Sequence, residues 1–388
     1  MQSSRVGLVA ALAIGVLAVS ACSAAPAPSA PPSASSPPAT SAVPSPPTAA
    51  EWAQERLETL TLEQKATSLL MLHAPGTDPA PLRAFADQGI GGLILMGDNI
   101  PDDAAALAAL TAAAQSDPEA RTLIGIDEEG GDVQRVPWDP APGADALRGG
   151  PATDATAAFR SRAEMLAAAG VDVNFGIVAD VTDDPDSFIF SRVLGTDAAT
   201  AAPLVAGAVQ GEQGLVASTL KHFPGHGQAP GDSHESLPTS PLDLARWREI
   251  AAPPFQAGID AGAELVMTGH LVFPAVDAAP ASLSAEWHRV LREELGFDGV
   301  IVTDDLLMLQ HNGLPEYQDP GENAVRAVAS GADLLLYVLP EDPSEFGISV
   351  DGLTESITAA VRDGRIPEAR LDDAALRVLT LRRELAAG

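Results

Sequence analysis

From residue 51 onward, short runs of Val, Ile and Leu alternate with longer stretches whose apolar positions recur at helical spacing. Eight runs stand out: 66–72, 92–96, 122–127, 171–181, 218–223, 265–270, 299–304 and 333–339. The segments 104–114, 155–169, 242–261 and 323–330 between them read as helices. Continuous apolar strands separated by amphipathic helices predict a parallel sheet covered by helices. Eight such units in ~340 residues predict an α/β fold of the (β/α)8, TIM-barrel type as a single domain, 51–388, rather than an open sheet. The strand ends agree. Asp127, Lys221-His222, Gly269-His270 and Asp304-Asp305 each close an apolar run, and barrel sites gather at the C-terminal ends of strands.

The first fifty residues follow another pattern. Residues 1–21 carry one basic side chain, Arg5, and then an apolar stretch over 6–19. That stretch is too short to cross a bilayer and reads as a secretion signal. Val19-Ser20-Ala21-Cys22 resembles the lipobox of bacterial lipoproteins, which implies that Cys22 carries a lipid and begins the mature chain. Residues 22–50 are otherwise almost all Ala, Pro, Ser and Thr, with nothing to bury, and predict a semi-extended linker. The expected address is the cell envelope, with the protein lipid-anchored on the outer face of the cytoplasmic membrane.

Composition narrows the partners. The 22 basic and 53 acidic residues give a formal charge of −31, which repels a phosphate backbone and excludes nucleic acid as a partner. Cys22 is the single cysteine, so no intramolecular disulfide forms. Among the basic residues only Lys65 and Lys221 are lysines. In so arginine-rich a chain, a lysine marks a place where arginine does not serve. Three of the seven histidines, His222, His226 and His234, fall in the stretch that also holds Lys221.

That stretch reads Lys221-His222-Phe223-Pro224-Gly225-His226-Gly227, followed by Asp232-Ser233-His234. His222 and His226 have the spacing of a helical metal pair, but Pro224, Gly225 and Gly227 make a helix unfavourable. No metal and no cofactor are expected. Asp232 stands two residues from His234, where a carboxylate orients an imidazole for proton transfer. Thr303-Asp304-Asp305 ends a strand; one carboxylate suits a nucleophile and the other a hydrogen-bond organiser for the next segment. Lys221 is expected to help keep Asp304 ionised. Asp127 with Arg135, and Arg192, offer acceptors and forked donors for a polyhydroxylated ligand; each is equally readable alone as a structural ion pair.

Together, KHFPGHG…DSH, IDEEGGDVQR upstream and GFDGVIVTDDLLM downstream resemble glycoside hydrolase family 3, in particular its NagZ-type β-N-acetylglucosaminidases. The resemblance covers nearly all of 51–388 and includes GIGGLILM, LVMTGHLVFPAVD and PASLS in the expected order. It implies Asp304 as nucleophile, His234 as acid/base with Asp232 as its partner, and Asp127, Arg135, Arg192, Lys221 and His222 as sugar-binding residues. It further implies removal of terminal β-linked N-acetylglucosamine from peptidoglycan fragments (muropeptides), with retention of configuration. The chain departs from the family's frequent residues at Glu128, Asp132, Gln228 and Leu306-Leu307-Met308, which touches subsite preference and loop closure. Other readings stay open on the residues alone: a phosphorylase, a substrate-assisted hydrolase, a metal-dependent barrel hydrolase, or a non-catalytic lipoprotein that binds muropeptides.

Overall fold

The computed structural model describes residues 47–387 apart from 116 and 118. The expected signal segment, the lipidation site Cys22 and most of the linker lie outside the described residues. The folded unit begins slightly before residue 51. Thr48 caps the helix Ala49–Thr59: its hydroxyl accepts from the Glu51 N–H, and the Glu51 carboxylate accepts from the Thr48 N–H at 2.8 Å. This reciprocal pair is written in the sequence as Thr-Ala-Ala-Glu, so residues 48–50 belong to the helix start and not to the linker.

The strands are β1 (Leu70–Leu72), β2 (Gly92–Leu95), β3 (Leu123–Ile126), β4 (Val173–Val178), β5 (Ala217–Phe223), β6 (Leu265–Thr268), β7 (Val272–Phe273), β8 (Asp277–Pro280), β9 (Val300–Thr303) and β10 (Leu335–Tyr337). Eight of them form a parallel sheet in the order β10-β1-β2-β3-β4-β5-β6-β9, while β7 and β8 make a separate antiparallel hairpin. The sheet closes through a parallel bridge between Val302 and Leu334, reinforced by the Thr303 N–H donating to the Leu334 carbonyl at 3.0 Å and Leu306 N–H to Leu336 at 2.9 Å. The result is a (β/α)8 barrel. Every residue of its eight strands is buried, as expected for strands covered on both faces.

Each expected apolar run holds one barrel strand, β5 starting one residue before its run. The first run is partly helical, because Thr61 and Gln64 cap a short helix, Leu62–Thr67, that takes Ala66 and Thr67. The expected helix over 242–261 is two, Leu244–Ile250 and Ala252–Asp260, joined at Ala251. Pro253 and Pro254 lack the N–H that a continuous helix needs there, yet fit the first turn of the second helix.

Two features fix the loop that follows β5. Beneath it, Phe223 packs edge-on against Trp247, Phe255 and Trp287, with ring centroids 5.4–5.8 Å apart, and the Trp247 indole N–H donates to the Pro224 carbonyl at 2.7 Å. At the far end, the Ser240 N–H donates to Val272 and the Val272 N–H donates to Pro238, so the loop's end is stitched to the β7–β8 hairpin. Gly225 turns the chain at φ +130°, and at Gly227 a Cβ would lie 2.1 Å from the Val181 carbonyl oxygen, so a side chain is excluded there.

Candidate active site

A cavity of about 570 Å³ opens at the C-terminal end of the barrel. It gathers Asp127 after β3, Arg135 and Arg192 from the loops after β3 and β4, Lys221 and His222 at the end of β5, His234 from the following loop, and Asp304 after β9. Asp232 reaches it through His234. All eight predicted catalytic and sugar-binding positions therefore converge, although the chain separates Asp127 from Asp304 by most of the barrel.

One wall is an ion-pair lattice. The Lys221 ammonium lies 2.7 Å from both Asp127 Oδ1 and Glu129 Oε1. Arg192 donates two bonds to Glu129, at 2.9 and 2.7 Å. Arg135 stands 3.8 Å from the second Asp127 oxygen. Burial alone would raise the Glu129 carboxyl, but Lys221 and Arg192 hold it down at about 2. Lys221 is buried and its ammonium serves two carboxylates at once, a point-charge geometry that a guanidinium fork does not reproduce. Its loss would leave buried acids short of a cation. Lys221→Met is therefore expected to cost about 3 kcal/mol and to lower the melting temperature by roughly 3–6 °C; thermal unfolding at neutral pH checks this, and an unchanged Tm contradicts it.

His222 is buried between Asp180 and Arg192. Its Nδ1 lies 2.7 Å from Asp180 Oδ2, and an Arg192 amino group donates to its Nε2 at 3.3 Å. Arginine is donor only, so Nε2 accepts and Nδ1–H donates to Asp180. Burial and the Arg192 charge hold the imidazole pKa well below its usual value, which keeps His222 neutral. Asp180 also accepts from the His226 backbone N–H and is pushed up to about 6 by burial. It thus ties both ends of the Lys221–His226 segment to β4, a role that nothing local in the sequence marks.

Asp304 is half-buried. Its own N–H donates to the Thr268 carbonyl at 2.9 Å, and its Oδ1 accepts from the Asp305 N–H at 2.8 Å. Burial raises its carboxyl, yet its electrostatic surroundings and the Asp305 N–H bond outweigh it, and the net shift is downward. Asp304 is ionised at neutral pH. Lys221 is not the group responsible, contrary to expectation, because its charge faces Asp127 and Glu129. Asp305 is the organiser of the pair: its carboxylate accepts from the Leu307 and Val338 N–H groups, both at 3.0 Å, and burial pushes it up to about 7.

His234 differs from all of these in being exposed. Its Nδ1 and its backbone N–H both meet Asp232 Oδ1, at 2.7 and 2.9 Å, which leaves Nε2 as the nitrogen free to exchange a proton. Next to it, Ser233 Oγ lies 3.1 Å from His226 Nε2 and pins the loop to the barrel. His234 and Asp304 line the same cavity and are close enough for the imidazole charge to lower the Asp304 carboxyl.

Residues 61–381 match the glycosyl hydrolase family 3 N-terminal domain. The chain belongs to glycosyl hydrolase family 3. A β-hexosaminidase of Bordetella pertussis is 36% identical over 270 residues, 65% of this chain and 74% of that one. An uncharacterized secreted glycosyl hydrolase of Arthroderma benhamiae is 30% identical over 344 residues, 84% and 95% of the two chains. Among solved structures, a family 3 β-N-acetylglucosaminidase from Paenibacillus superposes with a TM-score of 0.77 at 36% identity, covering 85% of this chain and 64% of that one, so this chain spans less than two thirds of it. M. tuberculosis LpqI superposes with a TM-score of 0.75 at 28% identity, covering 87% and 97%.

The departures from the family's frequent residues have identifiable places in this hydrolase. Asp132, Leu307 and Met308 line the cavity. Gln228 donates to the Val181 carbonyl at 2.7 Å. Glu128 is buried, and one of its oxygens accepts from the Arg135 and Val136 N–H groups at 2.8 Å, which holds the Arg135 loop; the other oxygen is buried without a hydrogen-bond partner among the described residues. Burial raises its carboxyl from 4.5 to about 7. Between these values the fold holds a proton that the unfolded chain has lost, so this group's contribution to stability falls as pH rises through that interval. Glu128→Gln keeps an acceptor for both N–H groups and removes the charge. It is expected to raise Tm at pH 8 by roughly 2–6 °C and to change it little at pH 5. Parallel melting curves at the two pH values test it; an equal shift at both contradicts the assignment.

Proposed function

We propose that this family 3 hydrolase removes terminal β-linked N-acetylglucosamine, with retention, through a covalent intermediate on Asp304. The observation that carries the reading is the meeting in one cavity of an ionised half-buried carboxylate, Asp304, and an exposed imidazole, His234, whose far nitrogen is held by Asp232. The β-N-acetylglucosaminidase and β-hexosaminidase names of its relatives support the sugar assignment.

In the first step an Asp304 oxygen bonds to the anomeric carbon as the bond to the bridging oxygen breaks. His234, protonated, delivers its Nε2 proton to that leaving oxygen. In the second step the neutral imidazole takes a proton from water, the hydroxide equivalent bonds to the anomeric carbon, and Asp304 leaves as carboxylate. Retaining glycosidases ordinarily use two carboxyl groups; here an imidazole oriented by Asp232 supplies the proton transfer instead. Asp127, Lys221, His222 and the two arginines present paired donors and acceptors to sugar hydroxyls. Strand residues of the barrel itself, Ile94, Met267 and Leu336, line the cavity. With barrel core beneath, the site takes a chain end, which favours exo action.

The natural substrate we infer is N-acetylglucosamine-terminated peptidoglycan fragments, met in the cell envelope by a protein lipid-anchored at Cys22. Mass analysis of the mature N-terminus decides the anchor. The chemistry is tested with a chromogenic β-N-acetylglucosaminide, with and without phosphate. Free N-acetylglucosamine as the product in both supports hydrolysis. N-Acetylglucosamine 1-phosphate formed with phosphate makes it a phosphorylase, and no turnover at any pH favours a binding protein.

A further inference from the structure

Phe188 is out of place. It is one of two large apolar side chains exposed among the described residues, at 39%, yet it lines the catalytic cavity. It lies in the loop after β4, between a turn in which the Ser187 N–H donates to Asp184 and a short helical turn, Phe190–Arg192, that aims Arg192 at Glu129. Next to it, Ile189 is fully buried and anchors the segment. The Phe188 ring is held on several sides: His234 meets it near-perpendicularly at 5.7 Å, His226 lies 5.5 Å away, and the Arg192 guanidinium stands 5.7 Å over it. Folding therefore fixes this ring but does not cover it.

Its neighbour His234 determines what covers it. Granting the reading of His234 as proton donor, on which this inference rests, the bridging oxygen of the substrate must come within hydrogen-bond reach of Nε2. The leaving group is bonded to that oxygen, so it lies beside His234 and within van der Waals range of a ring centred 5.7 Å away. The sugar that stays behind is gripped on the other side, by the charged wall of Asp127 and Lys221. We propose that Phe188 is the platform for the leaving group and selects one that presents a flat apolar face, as the C–H face of a second pyranose does. The exposed ring area then becomes buried on binding, and aromatic contact adds to the gain. The aglycone this predicts is a sugar ring rather than a small alkyl group.

The test compares Phe188→Ala with the wild-type protein on two substrates that both need proton donation. One is the β-1,4-linked disaccharide of N-acetylglucosamine, which has a leaving ring to stack; the other is the methyl β-glycoside of N-acetylglucosamine itself, which has none. The ratio of kcat/KM values, disaccharide over methyl glycoside, is expected to fall about tenfold in Phe188→Ala and to be largely restored in Phe188→Tyr. If both substrates slow equally and the ratio holds, Phe188 acts only through the placement of His234 and the proposal is wrong. If the wild-type protein cleaves neither substrate, the glycosidase reading itself fails and takes the proposal with it. The circular dichroism spectrum and Tm of Phe188→Ala show whether it is folded; should it not be, Phe188→Leu carries the same comparison, with the same ratio expected to fall.

Discussion

Asp304→Asn is expected to reduce kcat/KM on an aryl β-N-acetylglucosaminide by on the order of ten-thousand-fold or more while the protein stays folded. The reason is local. The backbone N–H of Asp304 donates to the Thr268 carbonyl, and among the described residues its Oδ1 accepts one hydrogen bond, from the N–H of Asp305. An amide oxygen keeps that contact, so the substitution removes the negative charge and the nucleophilic oxygen and little else. A 2-fluoro sugar should label the wild-type protein on the peptide containing Asp304 and leave the variant unlabelled. A variant turning over within tenfold of wild type would show that the attacking group lies elsewhere, the acetamido oxygen of the substrate being the first alternative.

His234→Ala carries the second largest effect, roughly a hundred- to ten-thousand-fold loss on a disaccharide, whose leaving oxygen needs a proton. The loss should shrink markedly with a dinitrophenyl leaving group, which departs as an anion. This dependence on leaving group separates a proton donor from a residue that only shapes the loop, since a shape defect would slow both substrates alike. His234 is exposed and its contacts run to Asp232 and the edge of Phe188, so its removal should scarcely change Tm. Asp232→Asn should fall between wild type and His234→Ala, because it loosens the ring's orientation without deleting it. Equal losses on the two leaving groups would overturn the acid/base role.

Much of this site is legible in the sequence for a simple geometric reason. Asp127, Lys221, His222 and Asp304 each end or follow an apolar run, and in a parallel barrel every such end reaches the same face. The residues the sequence conceals are those whose meaning depends on distant neighbours. Asp180 is one of several acids before Arg192, and only its burial against His222 and His226, more than forty positions onward, sets it apart. Glu129 stands in a run of acids, and its partners Lys221 and Arg192 are equally remote. The Lys221 charge is misread from sequence because Glu129 and Asp127 claim it before Asp304 does. Phe188 is a single aromatic in a polar loop, and nothing in its flanks foretells that it will border an imidazole.

The seam of the barrel has a consequence for how the protein is made. β10 pairs with strand β1, and the carbonyls of Leu334, just before it, and Leu336, within it, accept the backbone N–H groups of Thr303 and Leu306, on either side of Asp304. A ribosome delivers residues 334–336 about thirty positions after Asp304, so a nascent chain that already holds Asp304 lacks the strand that supports it until that later stretch has emerged. Closure of the barrel thus waits for this stretch, and a chain released before it leaves the Thr303 and Leu306 N–H groups without these backbone partners.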